Sequence, residues 1–126
     1  MRFISLKKPS DFKKTYQGIK FYTACFSVHF IPAPTPSVDM VQYGITVSKK
    51  MAGNAIIRNR MKRHLKESFR QYALCPEIGN YQIVFTSIRK AHEKTWDDYV
   101  RAMRKLPELI KKYEQDSYAP QKNTAL

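Results

Sequence analysis

Arg58, Arg60, Lys62 and Arg63 put four cations within six positions, with Asn59 among them and Lys66 and Arg70 following at helical spacing. Guanidinium forks match phosphate oxygens two at a time, and a helix holds such forks at fixed spacing against a nucleic-acid backbone. From Lys49 to Arg70 there are eight basic residues and one acid, Glu67. Solvated helix faces usually mix signs to limit self-repulsion. Unmixed positive charge at this density is a nucleic-acid footprint. Other chemistry finds little material. The ten acids are scattered and only Asp97 and Asp98 adjoin, so no carboxylate cluster suits a two-metal site. His29, His64 and His92 lack metal-ligand spacing and read as structural histidines. Cys25 and Cys75 form no Cys-x-x-Cys pair and read as small hydrophobes rather than nucleophiles. No catalytic residue and no metal ligand is assigned on these grounds.

The whole chain shares the bias. It has 126 residues with 23 Lys and Arg against 10 Asp and Glu, a formal net charge of +13. Residues 1–74 hold 14 basic and 3 acidic side chains, and residues 75–126 hold 9 and 7, so the polyanion site belongs mostly to the first three-fifths. The length matches one domain. A content of 43% hydrophobic and 13% aromatic residues supplies one core and argues against wholesale disorder. Two scattered cysteines suit a reducing cytosol rather than a disulfide scaffold. No apolar run approaches the ~20 residues of a membrane span, and residues 1–8 carry no signal-peptide pattern. A cytoplasmic domain is expected, with nucleic acid the default partner and an anionic membrane surface the weaker one.

The elements that must position these residues follow from periodicity. Residues 10–18 predict a short helix, capped by Ser10 and stopped by Gly18, with Phe12 and Tyr16 on one face. Residues 21–31 predict one strand, with Tyr22, Ala24, Phe26, Val28 and Phe30 on one side and Thr23, Cys25, Ser27 and His29 on the other. Three prolines at 32–36 make a loop. Residues 41–47 and 81–87 predict two more strands, the second central because it is the more apolar. From about Ala55 to Tyr72 a helix carries Ile57, Met61, Leu65, Ser68, Phe69 and Tyr72 on one arc. Arg60, Lys62, Arg63, Lys66 and Arg70 take the opposite arc, and Arg58 lies at the edge between them. A last helix opens at Thr95 with Asp98 as a capping-box acid, and Pro107 should kink or split it near Leu106. Residues 1–113 are expected as a single domain and residues 114–126 as a disordered tail. Three or four strands with helices against one face give the α+β class, a two-layer sandwich of about four strands and three helices.

The run Val47-Ser48-Lys49-Lys50-Met51-Ala52-Gly53-Asn54-Ala55-Ile56-Ile57-Arg58-Asn59-Arg60-Met61-Lys62-Arg63 closely resembles the signature of the bacterial ribonuclease P protein component. That signature is a strand ending in Ser/Ala-Lys-Lys, a Gly-containing turn, and a helix carrying Arg-Asn-Arg-x-Lys-Arg. Leu6–Phe12 resembles the family's opening helix with two aromatics four apart, and Gln42–Val47 its hydrophobic-Gly-hydrophobic strand. Order and length match from about residue 6 to residue 113. The turn at 51–54 looks about one residue longer than in many relatives, and Pro107 is not part of the pattern.

The resemblance implies an α/β sandwich with a left-handed βαβ crossover, against a general preference of ≈ 98% for the right hand. It implies a protein subunit of ribonuclease P, the endoribonuclease that removes the 5′ leader of precursor tRNA, with the active site and its Mg²⁺ in the RNA subunit. The implied partners are that catalytic RNA and precursor tRNA, without a membrane or an obligate protein partner. Arg58, Arg60, Lys62 and Arg63 are the implied contacts to the catalytic RNA, extended by Lys49 and Lys50. Asn59 either braces the helix start or donates to RNA. Lys66 and Arg70 either join this surface or are peripheral charge. On the residues alone Phe12 and Tyr16 read as core; the resemblance shifts them to a cleft for the single-stranded leader, with His29 beside them. The alternative function is a structural or ribosomal RNA-binding protein without a processing role. A helix-turn-helix DNA binder is disfavoured because no second helix adjoins the basic one.

Overall fold

The computed structural model describes residues 1–47, 54–88 and 91–125, with side chains through residue 115 except at 92. Lys49, Lys50 and most of the glycine-containing turn lie outside these residues. Five strands, β1 (Arg2–Ser5), β2 (Ile19–Tyr22), β3 (Phe26–Pro32), β4 (Met40–Thr46) and β5 (Tyr81–Ser87), form one mixed sheet in the order β1-β4-β5-β3-β2. β4 runs parallel to both β1 and β5, while β3 is antiparallel to β5 and β2. The helices are α1 (Pro9–Tyr16), α2 (Ala55–Tyr72), α3 (Trp96–Met103) and α4 (Lys105–Ala125). Because β4 and β5 are parallel neighbours, α2 is the crossover that joins them.

The α+β class and the central place of β5 are as the sequence suggests. The sheet has a fifth strand, β1, whose four residues are too few and too polar at the ends for alternation to mark it. Its membership rests on long-range contacts: Phe3 packs edge-on against Phe69 and Tyr43 at 5.4 and 6.3 Å. The core lies on one face of the sheet. Phe26, Val28, Phe30, Tyr43, Ile83 and Phe85 meet Met61, Leu65 and Phe69 of α2, Tyr99 and Met103 of α3, and Leu106 and Ile110 of α4. α3 opens with the expected capping box, Thr95 and Asp98 each accepting from the other's backbone N–H. The break that Pro107 demands comes at Arg104, two residues before Leu106. Pro107 then sits in the first turn of α4, where its missing N–H costs nothing. The backbone of α4 is helical through Ala125.

Two local expectations change. α1 begins with Pro9 at its first position and has no side-chain cap, so Ser10 lies inside it. Gly18 serves close approach as well as termination, since a Cβ there would stand 2.3 Å from the Phe30 carbonyl oxygen. The predicted strand 21–31 is a hairpin instead. Thr23 Oγ1 accepts from the amides of Cys25 and Phe26 at 3.3 and 3.1 Å, and Thr23 N–H donates to the Phe26 carbonyl at 2.8 Å. Such a hydroxyl-braced turn competes with continued strand. It also shifts the alternation: Tyr22 pairs with Ser27 and joins the polar face of the sheet, not the Phe26 face.

Candidate nucleic-acid interface

α2 begins at an asparagine. Asn54 has extended backbone and its side chain accepts from the Ile56 amide at 2.7 Å, satisfying one of the orphan donors of the first turn. The helix start is therefore capped five residues before Asn59, which is exposed inside the helix, and the bracing role expected for Asn59 belongs to Asn54. Met61, Leu65, Ser68 and Phe69 are buried as the helical period requires. Ser68 Oγ donates back to the His64 carbonyl at 2.6 Å, which lets a hydroxyl sit in the core. Arg60, Lys62, Arg63, Lys66 and Arg70 are exposed, and Arg58 is half-buried at the margin. Arg70 lies over the Phe3 ring at 5.5 Å, so part of its role is to cover the edge of the core. His64 packs against Trp96 and Tyr99 of the neighbouring helix. Burial, then Arg60 and Arg63, hold its pKa below the ordinary histidine value. It is a neutral packing group at pH 7.

α1 lies on the face of the sheet opposite the core, so the helices are not all on one side. Its seat is polar and buried. Gln82 of the central strand donates to Thr15 Oγ1 at 2.9 Å and to the Asp11 carbonyl at 3.2 Å, and Thr15 Oγ1 donates to that same carbonyl at 2.7 Å. Thr15 and Gln82 are almost wholly buried. Phe12 reaches over Gly44 of β4, where a Cβ would stand 2.4 Å from the ring. Tyr16 is 39% exposed, and its hydroxyl shares a 2.8 Å hydrogen bond with Thr46. Its ring meets His29 edge-on at 5.0 Å. His29 is only 6% exposed, so it forms floor beneath Tyr16 rather than an open platform. Neither Phe12 nor Tyr16 belongs to the core cluster.

Both aromatics line grooves. One, of about 350 Å³, is bounded by Phe12, Tyr16, Ile45 and Thr46 with Lys7 and Pro9. The other, of about 500 Å³, has Phe12, Gly44 and Ile45 on one side and Lys62, Arg63 and Lys66 of α2 on the other. The two share Phe12 and Ile45. The cationic face of α2 and the aromatic face of α1 thus open on one continuous surface. Lys66, left undecided by the sequence, is on it. Gly44, Ile45 and Thr46 line these grooves and were passed over by sequence reasoning; the signal was a glycine inside an otherwise apolar strand, which marks close approach of another group.

A cationic crossover helix beside an aromatic groove defines a small nucleic-acid-binding protein of the α+β class. The chain belongs to the ribonuclease P protein family, whose family model, Ribonuclease P, matches residues 1–113. Among its relatives, the ribonuclease P protein component of Clostridioides difficile is 35% identical over 101 residues, covering 80% of this chain and 86% of that one. That of Clostridium novyi is 33% identical over 94 residues, covering 74% and 80%. The Staphylococcus aureus RNase P protein structure superposes with a TM-score of 0.68 at 25% identity, over 85% of this chain and 94% of that one. The Thermotoga maritima RNase P protein shares the fold with a TM-score of 0.67 at 23% identity, over 81% and 93%. The family's role is RNA binding and processing of the tRNA 5′ end, in partnership with the RNase P RNA. This membership sets aside a purely structural or ribosomal RNA-binding role.

Proposed function

We propose that this chain binds the catalytic RNA through α2 and holds the precursor tRNA leader in the groove of α1, while bond cleavage takes place in the RNA. The contacts to the RNA are Arg58, Asn59, Arg60, Lys62 and Arg63, extended by Lys49, Lys50 and Lys66. The leader lies along Phe12 and Tyr16, over the floor made by His29. One observation carries the reading: Phe12 and Arg63 line the same groove, so a single strand can leave an RNA held on α2 and enter the aromatic cleft without a gap.

Among the described residues no group of three or more His, Cys, Asp or Glu lies together. In this reading the Mg²⁺ that the family implies is held by the RNA. The protein supplies electrostatics and position. Cations offset phosphate repulsion between two RNAs, and aromatic faces stack on bases whatever their sequence, at ≈ 1–3 kcal/mol per base. A leader of variable sequence needs that tolerance. Precursor is then held more tightly than product because only precursor has a leader to stack. Among the described residues no helix is long and apolar enough to cross a membrane, and we place the protein's work in the cytoplasm.

Phe12→Ala tests this. In holoenzyme reconstituted with the RNA subunit, it is expected to weaken precursor binding about tenfold while mature tRNA binds as before. Equal loss for both RNAs would show that Phe12 only supports the fold.

A further inference from the structure

The hairpin turn at Thr23 turns a further aromatic, Tyr22, toward the groove side of the sheet. Tyr22 is 71% exposed, at the edge strand β2. The register pairs Tyr22 with Ser27 and Lys20 with His29, so Lys20 and Tyr22 share the sheet face on which α1 sits. Phe21 points the other way and stacks on Phe30 at 5.7 Å. Lys20 Nζ lies 4.7 Å from the centroid of the Tyr22 ring. A contiguous row results. Tyr16 touches His29 at 5.0 Å, His29 stands opposite Lys20, and Lys20 lies on Tyr22. His29 Nδ1 is buried in this row without a hydrogen-bond partner. Burial and the Lys20 charge hold its pKa below the ordinary value, so it adds no cation of its own at neutral pH.

We propose that Tyr22 and Lys20 form a second stacking platform for the leader, holding a base further from the cleavage site than those held by Phe12 and Tyr16. This deepens the leader-binding reading and rests on it. The occupant is argued from three features. The ring is large, exposed and flanked by a cation, the combination that binds single-stranded nucleic acid without sequence choice. The row is continuous with the groove that starts at α2. From Thr46 on β4 to Tyr22 on β2, which the register places in one row, there are three strand spacings, about 14 Å, so only a leader several nucleotides long reaches it.

The test uses precursor tRNAs with leaders of about two and about ten nucleotides and holoenzyme reconstituted with the cognate RNA subunit. Tyr22→Ala is expected to weaken binding of the long-leader precursor roughly five- to tenfold and leave the short-leader one unchanged. Tyr22→Phe keeps the long-leader affinity, and Tyr22→Leu, apolar but without a ring face, behaves like alanine. Tyr22 is an exposed edge residue, so thermal melting of the variants should match the parent protein. Loss for both leaders alike, or for neither, overturns the platform. Phe12→Ala in the same assay separates the two claims: if it weakens the precursor while Tyr22→Ala does not, only the platform fails; if neither acts, the leader reading fails with it.

Discussion

Replacing Arg60 and Arg63 together by alanine is expected to weaken binding of the RNase P RNA roughly ten- to a hundredfold. It should also flatten the dependence of log affinity on log salt by about one to two units. The second effect is the diagnostic one. Each phosphate neutralised by a cation releases condensed counterions, and the slope counts those releases at ≈ 0.7–0.9 per contact. Both side chains are exposed, one turn apart on the face of α2 that looks away from the core. Their removal leaves Met61, Leu65 and Phe69 packed, and melting of the variant beside the parent protein separates lost stability from lost RNA contact. Arginine-to-lysine changes at the same positions should keep the slope and lose part of the affinity, because the charge remains while the two-pronged geometry goes. A double alanine variant with weakened binding but an unchanged slope would mean that these arginines do not meet phosphates.

Phe69→Ala is expected to cost about 3–5 kcal/mol of stability, measured by urea unfolding. The ring is fully buried and meets three others, Phe3 of β1, Tyr43 of β4 and Phe85 of β5, at 5.4, 5.4 and 5.0 Å. It joins the inner side of α2 to three strands at once. Small domains hold only about 5–15 kcal/mol in total, so the variant should lose a third or more of its stability. RNA affinity should fall with it, although Phe69 touches no RNA. A cost below about 1 kcal/mol would show that α2 is anchored elsewhere.

What the sequence reveals of this molecule depends on how local the cause is. The span of α2 and its two faces follow from a 3.6-residue period over eighteen residues, and the structure has the helix at Ala55–Tyr72. The Thr95–Asp98 box is equally local. β1 is not, since its case rests on Phe3 reaching residues some forty and sixty-six positions away. The polar seat of α1 has no pattern at all. Thr15 and Gln82 are ordinary residues until the fold buries them together. The missed turn at Thr23 had the largest consequence for the site. A hydroxyl hydrogen-bonded to two nearby amides broke one apparent strand into two and moved Tyr22 to the groove side. The exposed cationic face of α2 was therefore legible from charge and spacing. How Tyr16 meets His29 and Thr46 needed the sheet, because the three come from α1, β3 and β4.

We propose that this protein positions RNA while the chemistry resides in its RNA partner. The direct measurement is cleavage of a precursor tRNA at physiological Mg²⁺ by the purified protein, by the cognate RNA subunit, and by the two together. The protein alone should release no leader. The two together should cut at the mature 5′ end, far faster than the RNA alone at the same Mg²⁺ concentration. Leader release by RNA-free protein at a rate comparable to the complex would contradict the account.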